Sequence, residues 1–157
     1  MVAQSRSGGG TVCAEIIALI ENRKEWGQLI ESLSRSGHHV CTFDNYASAV
    51  KVLKHKGPVH LIVSDVHLQN GGDVFDFLRW VRKDPCRTAT PFVMLSMEPT
   101  LMAQYLEDGI RISSRLLGAT LYITQNKFDS ADLIKEIESI LPSEAKKVAQ
   151  PSIGMGE

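Results

Sequence analysis

Polar side chains follow several of the short apolar runs in this chain. The central one is Asp65, which comes directly after VHLIVS (59–64). The ends of the other runs carry a second acid, an amide, a hydroxyl and a lysine, namely Glu21, Asn22, Ser96 and Lys127. Such a set can bind a divalent hard cation and accept a phosphoryl group on the carboxylate. The cation would neutralise the developing charge while the hydroxyl and the ammonium hold the transferred oxygens.

Five short runs rich in β-branched residues alternate with stretches of helical spacing. The predicted strands cover 14–20, 38–43, 59–64, 91–96 and 119–124, and the clearest predicted helices cover 23–35, 46–55, 73–83 and 130–141. Near-continuous apolar strands are typical of a parallel sheet with helices on both faces. The alternation therefore predicts an α/β fold with a doubly wound, five-stranded parallel sheet. Because ligand sites in such sheets form at the carboxyl ends of the strands, the polar residues should meet in one cleft.

Length and composition limit the class of protein. The 157 residues suit one domain, expected over 13–142 with flexible tails at 1–12 and 143–157. A formal net charge of -1 argues against nucleic-acid binding, and no apolar run is long enough to cross a membrane. The three cysteines have no pairing or zinc-ligand spacing, which favours the reducing cytoplasm.

Three segments resemble the receiver domains of bacterial two-component response regulators, of the chemotaxis-response-regulator kind. LIVSDVHLQNGGDVFDFLRWVRKDP resembles the third strand, acceptor loop and third helix of that family. RTATPFVMLS resembles the lead into the fourth strand, and GATLYIT carries the aromatic residue of the fifth. The resemblance covers about residues 13–141 and implies the (βα)5 flavodoxin-like receiver fold.

The resemblance also implies a role for each site residue. Asp65 would be the phosphoacceptor, Ser96 the hydroxyl that binds the phosphoryl group, and Tyr122 the aromatic residue whose rotamer reports activation. The implied cofactor is Mg²⁺. Its ligands would be the side chains of Glu21, Asn22 and Asp65 and the backbone carbonyl of His67.

The chain departs from the family pattern at several places, so the site is partly degenerate. Asn22 stands where the family carries a second acid, which weakens a magnesium site. Gln125 stands at the usual lysine position, and Lys127 is displaced by two residues, roughly 6–7 Å in an extended chain. The segment 97–118 is longer than the family needs by about two helical turns, which indicates a remodelled surface near the fourth helix.

Two functions remain open on this basis. The first is a stand-alone receiver, not an enzyme beyond its own phosphorylation and dephosphorylation, which a histidine kinase or phosphotransfer protein phosphorylates on Asp65. Its target would bind the face made by helix 4, strand 5 and helix 5, with a homodimer as a further candidate partner. The alternative is a phosphorylation-independent pseudo-receiver that acts as an interaction or dimerisation module. A flavodoxin-type nucleotide or flavin binder shares the topology, but the chain lacks a glycine-rich phosphate loop after the first strand.

Two further expectations concern residues outside the cleft. The five histidines lack a ligand spacing such as HExxH and are predicted to be surface or loop residues; they are His38, His39, His55, His60 and His67. An apolar stripe in the long segment is predicted to be core or dimer surface, and it comprises Met102, Leu106, Leu116 and Leu117.

Overall fold

The computed structural model of the chain describes residues 14–20, 23–66, 68 and 72–141, without the side chains of 23–25. Within these residues five strands alternate with five helices. The strands are β1 (Glu15–Leu19), β2 (His39–Phe43), β3 (Leu61–Asp65), β4 (Phe92–Met97) and β5 (Leu121–Gln125). The helices are α1 (Arg23–Arg35), α2 (Tyr46–Leu53), α3 (Val74–Lys83), α4 (Leu101–Leu116) and α5 (Ser130–Ser139).

All five strands form one parallel sheet in the order β2-β1-β3-β4-β5. This confirms the predicted doubly wound parallel sheet. The chain moves outward from β1 to β2 and then crosses back to β3, so the strand order reverses between β1 and β3. The cleft of such a fold lies at the carboxyl ends of these central strands.

The sheet is buried on both faces because its central strands are apolar at nearly every position. Leu61 and Val63 of β3 face one core, which α1 and α5 cover, whereas Ile62 faces a second core, which α2 and α3 cover. Both layers bury their residues at the helical spacing that the sequence predicted.

Two helices end two residues earlier than their predicted limits. The predicted ends were 55 and 141, whereas α2 ends at Leu53 and α5 at Ser139. The backbone amides of the following residues donate to carbonyls three positions back, as in His55 N to Val52 O and Ile140 N to Ile137 O. These tighter turns use up the last carbonyls of each helix.

Helix α4 departs from the pattern of the other helices. Ser114 is its buried residue, and six of its large apolar side chains are exposed to solvent, whereas Ile110 is partly buried. The predicted apolar stripe is therefore surface at Met102, Leu106 and Leu116, and only Leu117, which follows the helix, packs against a core.

His38 was predicted to be a surface or loop residue; it lies in the loop directly before β2 but is buried there. Its Nδ1 accepts a hydrogen bond of 3.3 Å from the backbone N–H of Ala14. The other ring nitrogen, Nε2, therefore carries the proton and donates to Glu138 of α5 across 3.2 Å. The ring links the beginning of the sheet to α5.

Arg87, which is distant in sequence, caps the C-terminus of α2 with its guanidinium. Its guanidinium is only 3% exposed, and its Nη2 donates to the backbone carbonyls of Leu53 (2.9 Å) and Lys56 (3.0 Å). Carbonyls at a helix C-terminus lack partners within the helix, and a cation there is favoured by the helix dipole. Arg87 thus fixes the loop that leads into β3.

We expect Arg87→Met to lower the free energy of unfolding by about 3 kcal/mol, because it leaves buried carbonyls without donors. Urea unfolding followed by circular dichroism measures the change. The matched control is Arg79→Met on the exposed face of α3, where the arginine pairs only with Asp76, and it should cost under about 0.5 kcal/mol. Equal losses in the two variants would contradict the role given to Arg87.

Candidate functional site

The β3–β4 register determines which residues meet at the candidate site. Asp65 is the last residue of β3 and is paired in register with Leu95 of β4. The backbone N–H of Val66 donates to the Leu95 carbonyl at 2.9 Å. Ser96 follows directly on the neighbouring strand and is itself paired with Thr124 of β5. The structure thus brings Asp65 and Ser96 to the same edge of the sheet, as the sequence predicted.

The end of β3 is held by the buried hydroxyls of Tyr46 and Ser64, of which the sequence reasoning missed Tyr46. The hydroxyls of Tyr46 and Ser64 lie 3.0 Å apart, and each also lies within hydrogen-bond distance of the Asp65 carbonyl, at 3.2 and 3.0 Å. Two protons serve these three contacts, so two of the bonds form at any time. The ring of Tyr46 stacks on Phe77 of α3 with centroids 4.8 Å apart. This packing fixes the backbone from which the Asp65 carboxylate projects.

Burial raises the pKa of Tyr46, and the nearby carboxylates of Asp65 and Asp73 raise it further, although the hydrogen bond with Ser64 opposes them. The phenol is thus held neutral beside two acids. Gly72, at the end of the acceptor loop, has a φ of 105°, and a Cβ there would lie 3.2 Å from the Tyr46 ring. This left-handed backbone conformation favours glycine, and the missing side chain lets the chain pass close to Tyr46.

Ser96 and Tyr122 form the second pair of the site. Ser96 is 1% exposed, and its hydroxyl lies near that of Tyr122. Burial raises the pKa of Tyr122, and the nearby Ser96 hydroxyl opposes this shift. The guanidinium carbon of Arg111 on α4 lies 4.9 Å from the centre of the Tyr122 ring, and Arg111 is bonded to Glu107 at 2.6 Å. Tyr122 therefore lies inward, between the sheet edge and the polar side of α4.

Gln125 stands at the position where the resemblance predicts a lysine. Its side-chain amide is hydrogen-bonded to the loop that follows β5. Its Oε1 accepts from the backbone N–H of Asp129 at 2.9 Å. Its Nε2 donates to the Asp129 carbonyl at 3.2 Å and approaches the Asp132 carboxylate at 3.4 Å. The oxygen and the nitrogen of the amide thus both hold the start of α5, so Gln125 has a structural role.

Lys127 lies two residues beyond β5 and is exposed. It borders an open surface depression of about 500 Å³ together with Gln28 of α1 and residues 128–130. The ring of Phe128 packs edge-on against Trp26 at 5.9 Å between centroids, which fixes the rim of that depression. The displaced lysine is thus on the rim between α1 and α5.

The predicted metal ligands other than Asp65 lie outside the described residues. They are Glu21, Asn22 and His67. Their placement at the strand and loop ends stays a prediction.

A different group of potential ligands meets at the opposite edge of the sheet. One ligand atom each of Glu15, His39 and Cys41 lies within 4.8 Å of the others. The Glu15 carboxylate is bonded to His39 and to the ammonium of Lys56, each at 3.0 Å. Burial opposes ionisation of Glu15, but these bonds outweigh it and lower the pKa of its carboxyl. An ion-pair network therefore accounts for this cluster.

The raised pKa of Tyr46 predicts a loss of stability at high pH. A phenol whose pKa is raised by folding stabilises the fold fully below its ordinary value of about 10, and that contribution is lost as the pH rises above it. We expect the free energy of unfolding to fall less steeply above pH 10 in Tyr46→Phe than in the wild type. Urea unfolding between pH 8 and pH 11 measures both slopes, with exposed Tyr105→Phe as the matched control. Parallel slopes in all three proteins would contradict the assignment.

No family model and no curated protein matches the chain. Solved structures do. The chemotaxis response regulator CheY4 of Vibrio cholerae has 22% identity and a TM-score of 0.68, over 82% of this chain and 99% of that one. A response regulator from Thermotoga maritima has 21% identity and a TM-score of 0.65, over 82% and 97%.

The receiver domain of NtrX from Brucella abortus has 22% identity and a TM-score of 0.64, over 79% of this chain and 95% of that one. Among the described residues no helix is long and apolar enough to span a membrane. With the five-stranded order and the register of β3 and β4, these likenesses confirm the predicted resemblance at the level of the fold. The chain has the fold of response-regulator receiver domains.

Proposed function

We infer that the chain is a response-regulator receiver that accepts a phosphoryl group on Asp65 and signals through protein contacts. The observation that carries this proposal is the connected path from the acceptor to the surface. Asp65 ends β3 beside Ser96, the Ser96 hydroxyl lies near that of Tyr122, and Tyr122 lies under Arg111 of α4. A charge added at Asp65 can therefore act on an exposed helix. The proposed donor is a histidine kinase or a phosphotransfer protein in the cytoplasm.

Phosphoryl transfer needs a carboxylate oxygen of Asp65 to attack phosphorus while the donor's phosphorus–nitrogen bond breaks. An acyl phosphate forms on Asp65, and the histidine of the donor leaves with the bonding pair and takes up a proton. The buried hydroxyls of Tyr46 and Ser64 hold the Asp65 carbonyl, so the carboxylate starts from a fixed backbone. Such positioning supplies much of the rate in phosphoryl transfer.

The residues at this edge suit a hard cation. Asp65 contributes a carboxylate, and the proposed partners Glu21, Asn22 and the His67 carbonyl all offer oxygen. Mg²⁺ prefers oxygen ligands and would neutralise charge on the transferred group. Asn22 removes one formal charge from this set, so we expect a weaker magnesium site than two acids would give.

The Ser96 hydroxyl is the proposed link between the phosphoryl group and α4. It has one proton and two lone pairs. A phosphoryl oxygen on Asp65 would accept a hydrogen bond from the Ser96 hydroxyl, whose oxygen could then accept one from the Tyr122 hydroxyl. The inward position of Tyr122 beneath Arg111 and Glu107 would then be favoured, and α4 would present one arrangement to its target.

A pseudo-receiver is the second candidate, and the observation that favours it is Gln125. The family places a lysine there, whereas this amide is bonded to Asp129 and Asp132. A neutral group committed to the β5–α5 loop supplies no cation to a phosphoryl oxygen. In this function the α4 and β5 surface binds its partner without phosphorylation.

Intact-mass spectrometry after incubation with acetyl phosphate separates the two functions. We expect one added phosphoryl group on the wild type in the presence of Mg²⁺ and none in its absence, because the bare carboxylate repels the donor. Asp65→Asn should take up none. The matched control is Asp44→Asn, which removes an exposed acid just after β2 and should leave uptake unchanged.

Uptake by Asp65→Asn equal to that of the wild type would overturn the acceptor assignment. A wild type that stays unmodified at saturating Mg²⁺ and acetyl phosphate would favour the pseudo-receiver.

A further inference from the structure

The polarity of α4 is reversed relative to the other helices. The side that faces the domain carries Glu107, Arg111 and Ser114, which are partly or fully buried. The solvent side carries apolar side chains, among them Tyr105 at 85% and Leu116 at 82% exposure. An amphipathic helix normally turns its apolar side inward, so α4 presents the surface that a partner would cover.

Four of the exposed apolar residues of α4, together with Gly109, follow the spacing of a coiled-coil seam. The seam consists of Met102, Tyr105, Gly109, Ile112 and Leu116, which are three and four residues apart in turn. Gly109 lies at its centre, and a Cβ built there meets nothing within 4 Å. The packing of the domain therefore does not require this glycine, although glycine weakens a helix. A second helix that approaches closely at this point would explain it.

We propose that two copies of the chain associate through an antiparallel pairing of their α4 seams. In such a pair, a residue at one of the two alternating seam positions of one helix faces a residue at the other position of its partner. Gly109 of each copy would lie opposite Ile112 of the other, and Tyr105 opposite Leu116. The residues beside the seam then bring Asp108 of each copy next to Arg115 of the other.

The charges of Asp108 and Arg115 favour this arrangement, and they favour a second copy of the chain as the partner that covers the seam. Asp108 and Arg115 are exposed, and neither has an ion-pair partner within 4.0 Å among the described residues. A shift of the antiparallel pair by one heptad would put the two Asp108 carboxylates together, which is repulsive. A parallel pair would put Asp108 beside Ser113. Only the unshifted antiparallel register pairs opposite charges, and it does so twice by symmetry.

The expected dimer is weak. The paired segment from Tyr105 to Leu116 is 12 residues long, or about 18 Å at about 1.5 Å per residue. Two helices of that length bury less than the roughly 800 Å² per partner of a standard interface. The dimer should therefore appear only as the protein concentration rises. The pairing needs no phosphoryl group, so it goes beyond the proposed function.

Sedimentation velocity over a concentration series tests the proposal on the whole, unphosphorylated chain. We expect a monomer–dimer equilibrium for the wild type. Asp108→Arg and Arg115→Asp should each raise the dissociation constant by roughly tenfold or more, because each puts like charges together at two places. The double variant, Asp108→Arg with Arg115→Asp, should restore the wild-type constant. The matched control is Asp76→Arg on α3, an equal change of charge away from the seam.

Three outcomes would overturn the pairing. One is a wild type that stays monomeric up to millimolar concentration, which would leave the seam to a helix of another protein. A second is a dimer insensitive to both single substitutions, which would place the interface elsewhere. The third is a double variant that dimerises no better than the single ones. Repeating the series with Asp65→Asn separates this test from the acceptor chemistry, since its dimerisation should match the wild type.

Discussion

The parallel register between β3 and β4 is the constraint on which the rest of the site depends. Because Asp65 is paired with Leu95, the next residue of β4, Ser96, lies at the same edge as the acid. The β4–β5 register then brings the strand that carries Tyr122 alongside. A slip of one residue would turn Ser96 into the opposite core and break the connection between Asp65 and α4. The apolar side chains on both faces of β3 and β4 hold this register, so the geometry of the site depends on the packing of the core.

The sequence predicted those parts of the molecule that depend on periodicity. Continuous apolar strands and helical spacing were enough to predict the five-stranded parallel sheet, and the strand ends predicted that Asp65 and Ser96 would meet. Tyr46 was missed because nothing in its local sequence shows that its hydroxyl reaches the end of β3, 18 residues away. His38 was predicted to be a surface or loop residue, and its burial was missed because its partner, Glu138, is 100 residues away. Such long-range polar contacts have no periodic signal.

The segment 97–118 shows a different limit of sequence reasoning. Its apolar stripe was predicted to be core or dimer surface, and the two readings have the same spacing. Only the fold shows that Glu107 and Arg111 face Tyr122 and that the apolar side is therefore turned outward. Only one side of α4 can face the domain, so the helix can bury either its apolar residues or the polar residues that contact Tyr122. The polar contact at Tyr122 decides the orientation of α4.

The amide of Gln125 limits the order in which this site could change during evolution. Its bonds to Asp129 and Asp132 hold the loop between β5 and α5. A lysine at 125 would supply a cation but would give up the acceptor that the Asp129 amide uses. The substitution would therefore be unfavourable until the loop had acquired another anchor, and the two changes would be epistatic.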